Sequence, residues 1–321
     1  MPSVSIGVVL ASGSTQTPEA LLREAELALN RAKGEGGGHQ ALFDDVSRNR
    51  AAARRRTELD LRRAIRRCEF CLHYQPVLGL RTGEVVGVEA LVRWRHPDRG
   101  LLPPGEFIDL AEDTGLIVPI GAIVLADALA QAKLWRTITE RQTLTVAVNL
   151  SARQLAQPDL VHTVARALAR TGTTGAELCL EITETAVMAD AEAAVAKLGE
   201  LRALGIALAI DDFGTGYSSP SYLKRLPADV LKIDRAFVAG LGDDSESSVI
   251  PGAVIGLAHA LGMTTIAEGV ETATQGEELQ RLGCDAAQGY YYARPAPADA
   301  VTALLRSVVV EGFGAAAVVA A

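Results

Sequence analysis

The chain is short of cysteine, of aromatics and of positive charge. Its 321 residues hold four cysteines, Cys68, Cys71, Cys179 and Cys284, which do not form a disulfide framework in a chain this long. Cys68-Glu-Phe-Cys71 has metal-knuckle spacing, but no second pair follows. Two ordinary thiols at a helix-to-strand junction are the better account. Lys and Arg number 31 against 39 Asp and Glu, a formal net charge of −8, which argues against a general binder of nucleic-acid polymers. A small phosphate substrate stays open, because bound cations reverse the local field. No basic-then-apolar start marks a signal peptide, and no uncharged run of about 18 residues marks a membrane span. The longest apolar candidate, Ile117–Ala126, is cut off by Asp127. A reducing cytoplasm is the expectation. Few aromatics and a 49% hydrophobic content suit a packed α/β protein rich in Ala, Val and Leu.

A regular alternation begins near residue 72. Strand-like runs occur at His73–Leu80, Val85–Trp94, Leu144–Leu150, Leu178–Thr183, Ile206–Ile210, Val230–Ile233, Thr264–Glu268 and Ala286–Tyr291. Several are continuous apolar runs, as expected of parallel strands covered on both faces. Helical patterns separate most of them, at Phe107–Glu112, Ile123–Trp135, Leu160–Ala169, Ala191–Leu204 and Val254–Leu261. The first two strands are joined only by Arg81–Glu84, which predicts an antiparallel hairpin. The pattern predicts an α/β fold, a TIM-like (β/α)8 barrel with one antiparallel strand. A doubly wound open sheet is the runner-up, but it usually carries a Gly-rich phosphate loop after its first strand, and none is present.

Ahead of the barrel, residues 4–10 read as a strand and Thr17-Pro18 opens a helix that Gly34 and Gly36–Gly38 stop. One strand and one helix cannot make a core, so this piece is a remnant or packs on something else. Residues 46–67 carry nine arginines with a thin apolar stripe, Leu59, Leu61 and Ile65. They read as a linker helix whose charge run is a solvated face rather than a nucleic-acid arm.

Polar residues recur where the barrel strands end: Glu89, Asn149, Glu181 and Glu184, Asp211-Asp212, Lys232, Glu268 and Glu271, and Gln288. Taken alone, Asp211-Asp212 read as a helix cap and a surface acid, since neighbours on a strand face opposite ways. In a barrel, however, these ends converge on one mouth. Acids gathered there repel one another without cations, so the pattern implies metal. An all-oxygen set without His or Cys favours Mg²⁺ or Mn²⁺ over zinc, with Ca²⁺ open. One aspartate could bridge two ions roughly 3.5–4 Å apart, a pair able to clamp a phosphodiester and activate water. Lys232 would orient that water, help deprotonate it, or stabilise the pentavalent phosphate; a plain salt bridge to one of the acids is equally compatible.

Val-Glu89-Ala-Leu91-Val-Arg93-Trp resembles the EAL motif of cyclic di-GMP phosphodiesterases, bacterial second-messenger signalling enzymes. The resemblance runs from about residue 57 to 306 and includes Tyr74-Gln75-Pro76, Arg93–Pro97, Asn149-Leu150-Ser151, Glu181–Glu184, Asp211–Ser219, Lys232-Ile233-Asp234, Ala267–Glu271 and Gln288-Gly289-Tyr290. It implies hydrolysis of cyclic di-GMP to linear pGpG, with Glu89, Asp211 and Lys232 in catalysis. It implies Glu89, Asn149, Glu181 and Asp211 on a first metal, with Asp211, Asp212 and Glu268 on a second. Substrate contacts are implied at Gln75, Leu91, Arg93, Gln288 and Pro295, and loop support at Glu184 and Glu271, which would steady Phe213–Ser219. A homodimer is implied as well.

Residues 1–45 resemble the last strand and helix of a GGDEF (diguanylate cyclase) domain through Asn30-Arg31-Ala32-Lys33, although the GGDEF motif is absent. The domain plan is therefore a remnant at 1–45, a linker helix at 46–67, the barrel at 68–308 and an apolar tail at 309–321. Two departures from the family pattern stand out. Pro220 suits a first helical position. Pro251-Gly252 predicts a helix that begins late or kinks; the resemblance implies that neighbouring helices take part in dimer contacts, so it bears on dimer stability. A binding-only receptor for cyclic di-GMP and a different two-metal phosphoesterase are the alternatives. The complete ligand set disfavours the receptor, which usually loses a metal acid.

Overall fold

The computed structural model describes residues 4–10, 17–34, 37–43, 45–139, 144–188, 190–213, 223–242 and 247–306. The chain divides into two compact units, Met1–Arg63 and Ala64–Ala321.

In the first unit, β1 (Ile6–Val9) and β2 (Gln40–Phe43) pair in parallel, from Ile6 with Gln40 to Val9 with Phe43. The helix Pro18–Gly34 joins them. A Cβ on Gly7 would run into the backbone of Ala25 and Leu29, so this glycine lets helix and strand touch directly. The second strand goes beyond the sequence expectation. Its apolar run is only Ala41-Leu42-Phe43 after a glycine stretch, too short for periodicity to register. Together Ala28, Ala32, Ala41 and Phe43 bury a small core against Val9.

The Arg-rich stretch forms the helix Asp45–Arg67. Its exposed pairs Glu58–Arg62 at 2.8 Å and Asp60–Arg63 at 3.1 Å are those of a solvated face. The helix ends at exposed Cys68, whose φ of 54° lies in the left-handed region, and Glu69 N donates back to Ala64 O at 3.1 Å. Glycine normally fills such a position. Cys68→Gly is expected to stabilise the protein by about 0.5–1 kcal/mol in urea unfolding, the left-handed penalty less the entropy that glycine loses. A drop in the urea midpoint would show instead that the cysteine side chain contributes.

The second unit is a closed barrel. Its strands are β3 (Phe70–Gly79), β4 (Val85–His96), β5 (Gly100–Leu102), β6 (Thr145–Asn149), β7 (Leu178–Thr183), β8 (Ala207–Phe213), β9 (Val230–Ile233), β10 (Thr264–Ala267), β11 (Ala286–Ala287) and β12 (Ala296–Pro297). The ring runs β3-β4-β6-β7-β8-β9-β10-β11 and back to β3. β3 is antiparallel to both neighbours, while the remaining ring pairs are parallel. The expected eight strands with one reversed are all present. β5 and β12 extend the sheet off β4 and β3.

Most boundaries shift by one to three residues, and three elements differ by four or more. β11 stops at Ala287 rather than Tyr291, because Gly289 turns the chain there: Tyr292 and Ala293 N both donate to Gly289 O at 3.1 Å. The helix Ile117–Thr139 starts six residues early, with Pro119 in a first turn that needs no donor. The helix Val249–Ala260 neither starts late nor breaks at Pro251-Gly252, which is a correction. Pro251 also sits in a first turn, and Gly252 N donates to Ser248 O at 3.0 Å.

Ile117–Ile138 is long and apolar enough to cross a membrane by length and composition, despite Asp127. Ile120, Val124, Leu125, Ala128, Leu129, Ala132 and Trp135 on it are buried. Trp135 stacks edge-on against Tyr74 at 4.8 Å and donates to Thr302 Oγ1 at 2.7 Å. Each of the buried Ile, Val and Leu side chains contributes about 1.5–3 kcal/mol, so this helix is part of the barrel's core. Residues 214–222 and the tail 309–321 lie outside the described residues.

Candidate active site

Strand alternation turns every second side chain toward the barrel interior. At the carboxyl ends, Gln75 on β3 pairs with Glu89 on β4, and Asn149 on β6 with Glu181 on β7. Lys232 comes from β9. Glu268 and Gln288 stand one residue beyond β10 and β11, held in line by Glu268 N to Ile233 O at 3.0 Å and Gln288 N to Ala267 O at 2.8 Å.

Lys232 is the hub. It is 1% exposed, and its Nζ reaches Glu181 Oε2 at 2.8 Å, Asp211 Oδ1 at 3.5 Å and the Glu268 carboxylate. A second network runs around Glu89. Asn149 Nδ2 donates to Glu89 Oε1 at 2.8 Å, and Gln288 Nε2 donates to Glu89 Oε2 at 2.5 Å and to Gln75 Oε1 at 3.0 Å. Gln75 Nε2 in turn donates to Ala293 O at 2.9 Å. Among the described residues, buried Gln288 Oε1 has no partner, an acceptor left over for a donor or cation.

This crowding moves the titrations. Burial pushes Glu181 well above the carboxylate range; Glu89, Asp211 and Glu268 add to that and Lys232 opposes it. Burial likewise pushes Glu268 up to about 7, against the pull of Lys232. Glu89 is also buried, yet Lys232 and the Gln288 and Asn149 hydrogen bonds hold it below its ordinary value. For Lys232, burial works against the ammonium, but Glu181, Glu89, Glu268 and Asp211 raise it well above a free lysine. Lys232 is therefore a fixed positive charge.

The adjacent aspartates sit where the register between β8 and β9 slips, between Ile210 and Phe213. Asp212 has φ 54° there, and its N–H donates to Asp211 Oδ1 at 2.9 Å. Such an irregularity breaks the two-residue alternation and re-aims side chains. The Asp212 carboxyl is raised by burial, then by Asp211 and Asp234, and it hydrogen-bonds Asp234. Asp234 also caps the helix Arg235–Val238. It is the residue that sequence reasoning left without a role; its signal was an acid two positions past a strand-end lysine.

Among the described residues, no three of His, Cys, Asp and Glu already stand together as a ready-made metal group. Three of the acids lie instead on the Lys232 ammonium. Even so, the donors fit hard divalent cations. They are all oxygen, Gln288 Oε1 waits unpartnered, and five carboxylates around one ammonium leave the formal charge that two dications would balance.

The other expected contacts distribute as follows. Arg93 is half-buried opposite Cys71 on β3, with NH1 on Val92 O at 2.9 Å. Leu91 helps to line a cavity of ≈ 640 Å³ with Ile108, Ile117, Ile120, Asn149 and Glu181. The Pro295 backbone hydrogen-bonds His73. Glu184 is buried at the start of the helix Glu184–Met188, and Glu271 N donates to Gln275 Oε1 at 2.7 Å. The loop that both acids were expected to steady, beyond Phe213, lies outside the described residues.

Comparison with known proteins places this geometry. The family model of the EAL domain matches residues 58–295. The chain is 44% identical over 301 residues to the bifunctional diguanylate cyclase/cyclic di-GMP phosphodiesterase MucR of Pseudomonas aeruginosa, covering 94% of this chain and 44% of that protein. It is 41% identical over 305 residues to the cyclic di-GMP phosphodiesterase NbdA of the same organism, covering 95% and 39%. The chain thus spans less than half the length of these curated relatives. A solved structure of the PaMucR phosphodiesterase in complex with c-di-GMP superposes with a TM-score of 0.73 at 48% identity, covering 77% of this chain and 99% of that one. The FimX EAL domain of Xanthomonas citri in complex with c-diGMP superposes with a TM-score of 0.71 at 26% identity, covering 78% and 97%.

Proposed function

Because this chain belongs to the EAL domain family, we propose that it is a phosphodiesterase that hydrolyses cyclic di-GMP to linear pGpG. One observation carries the reading: a buried lysine at the barrel mouth amid Glu89, Glu181, Asp211 and Glu268, with Asn149 and Gln288 bonded to Glu89. Glu89, Asn149, Glu181 and Asp211 would hold one Mg²⁺ or Mn²⁺, and Asp211, Asp212 and Glu268 a second; when bound, the pair supplies Lewis acidity and a water of lowered pKa. Lys232, held charged, offsets the charge that builds on the phosphate and orients the attacking water; it is not the base. Cations held by Glu181 and Glu268 would favour the ionised carboxylates that burial alone disfavours.

Arg93 offers a planar fork to a phosphate. Gln75 fixes Gln288, whose free Oε1 accepts from water or substrate, while Leu91 and Pro295 provide apolar contact. Glu184 and Glu271 steady the loop that follows Phe213. We further propose residues 1–45 as the remnant of a GGDEF-like domain, 46–67 as its linker helix, and a homodimer as the working form.

The test is turnover of cyclic di-GMP followed by chromatography of pGpG, with Mg²⁺ or Mn²⁺ and with EDTA. Wild type should cleave only with the cation, and Glu89→Ala should remove turnover altogether. Tight binding in EDTA with no cation-dependent cleavage would favour the binding-only receptor instead.

A further inference from the structure

Asn149 is the one neutral side chain in the proposed cation set, and two cavities border the chain around it. One is the cavity of ≈ 640 Å³ that Leu91 helps to line. The other, of ≈ 270 Å³, opens among Leu125, Leu160 and Val164. Gly121, Asn149, Leu150 and Gln154 line both. A segment with open space against it cannot be held by close packing alone, so its hydrogen bonds carry the task.

Beyond Asn149 the chain leaves β6 and turns at Ser151 into the short helix Ala152–Leu155. Leu150 N donates to Glu181 O at 2.8 Å, which ties the strand end to β7. Gln154 closes the turn itself. Its Oε1 accepts from Ser151 N at 3.1 Å and from Ser151 Oγ at 3.0 Å, and Gln154 N donates to Ser151 Oγ at 3.3 Å. Gln154 is buried, and its amide lies against Gly121 of the helix Ile117–Thr139, where a Cβ would collide with it. Glycine weakens a helix relative to alanine, so Gly121 is explained by the room it gives that amide. Upstream of the turn, Asn149 Nδ2 donates to Glu89 Oε1, which leaves Oδ1 as the acceptor.

We infer that Gln154 is a positioning residue: seated against Gly121, it locks the Asn149–Ser151 turn so that the Asn149 amide oxygen is held ready for a divalent cation. The inference rests on the cation reading above and concerns how that site is shaped in advance. Groups that orient a metal ligand typically change affinity by about 10–100-fold when removed. Gln154 acts through Asn149, so its loss should appear in cation affinity more than in turnover at saturating cation.

The experiment is titration calorimetry of Mn²⁺ binding without substrate, with thermal melts in EDTA as a folding check. It compares wild type, Gln154→Ala, Gln154→Glu, Gly121→Ala and the double variant Gly121→Ala/Gln154→Ala. Gln154→Ala should weaken Mn²⁺ binding by about tenfold or more. Gln154→Glu keeps the acceptor that Ser151 uses and should return binding to within about threefold of wild type. Gly121→Ala pushes the amide off its seat and should weaken binding about as much as Gln154→Ala, even though alanine favours the helix. Where Gln154→Ala has already emptied the seat, the same glycine substitution should change binding by less than about twofold. Folded Gln154→Ala protein that binds Mn²⁺ as wild type does would reduce Gln154 to a helix cap and overturn the inference alone. Additive losses in the double variant would overturn the seating on Gly121. A wild type that binds no Mn²⁺ would overturn the cation reading and the inference with it.

Discussion

Lys232→Met should lower kcat for cyclic di-GMP by about 10²–10³-fold, the loss typical of removing one charge stabiliser from a dry site. The substitution keeps most of the stem volume in a position that is 1% exposed, so packing is largely preserved. What disappears is the ammonium shared by Glu181, Asp211 and Glu268. Removing one partner of a buried ion pair typically costs about 3–5 kcal/mol, because the other charges stay behind. Metal-free variant at pH 8 should therefore melt well below wild type. Mg²⁺ or Mn²⁺ should recover much of that gap without recovering turnover. The discriminating measurement is kcat at saturating cation on protein shown by its melt to be folded. A fall of less than tenfold would remove Lys232 from the chemistry and leave it a structural counter-ion.

Metal-free protein should lose stability as pH rises from about 5 to 8. The Glu268 carboxyl moves from an ordinary 4.5 to about 7 in the folded state, with burial the main cause. The native protein therefore holds that proton more tightly than the unfolded chain does. Its contribution is complete below pH 4.5 and is lost as pH climbs through 7, on the order of 3 kcal/mol. Glu181 acts in the same direction. Glu89 acts in the opposite one, with stability present above its ordinary value and lost as acid protonates it. Urea midpoints in EDTA at pH 5, 6, 7 and 8 would show the decline, and a flat or rising profile would refute it. Saturating Mg²⁺ or Mn²⁺ should flatten the curve, because cation binding displaces the same protons.

The barrel was largely legible because its strands read in the sequence as apolar runs of four to ten residues between helical repeats. β7 and β9 even begin and end where the pattern put them. The reversed first strand followed from the short Arg81–Glu84 link. Less legible were features that depend on partners distant in sequence. β2 is too short to show a period and gains its place by pairing with β1 and packing Ala41 and Phe43 on the helix Pro18–Gly34. Pro251 looked like a breaker because proline's cost depends on its position in the helix, which a sequence pattern locates only loosely. At the mouth, residue types alone pointed to an acidic, oxygen-rich centre. They did not show that Lys232 would sit on three of its acids at once, or that Asp212 would leave the strand's alternation through a left-handed backbone.

The antiparallel β3 also governs the order of events during synthesis. The ring closes only when residues near 290 reach β3: Leu78 pairs with Ala287, and Gln75 meets Gln288 across 213 residues of chain. Contacts of such sequence separation form late, because the loop they close must first be ordered. Until then β3 and β4 form a hairpin with one edge open, the kind of surface that invites wrong pairing. Gln75 and Gln288 are the seam of the barrel and the support of its mouth at once. A nascent chain therefore cannot hold an assembled site before it has closed its fold, and partly folded protein is born inactive.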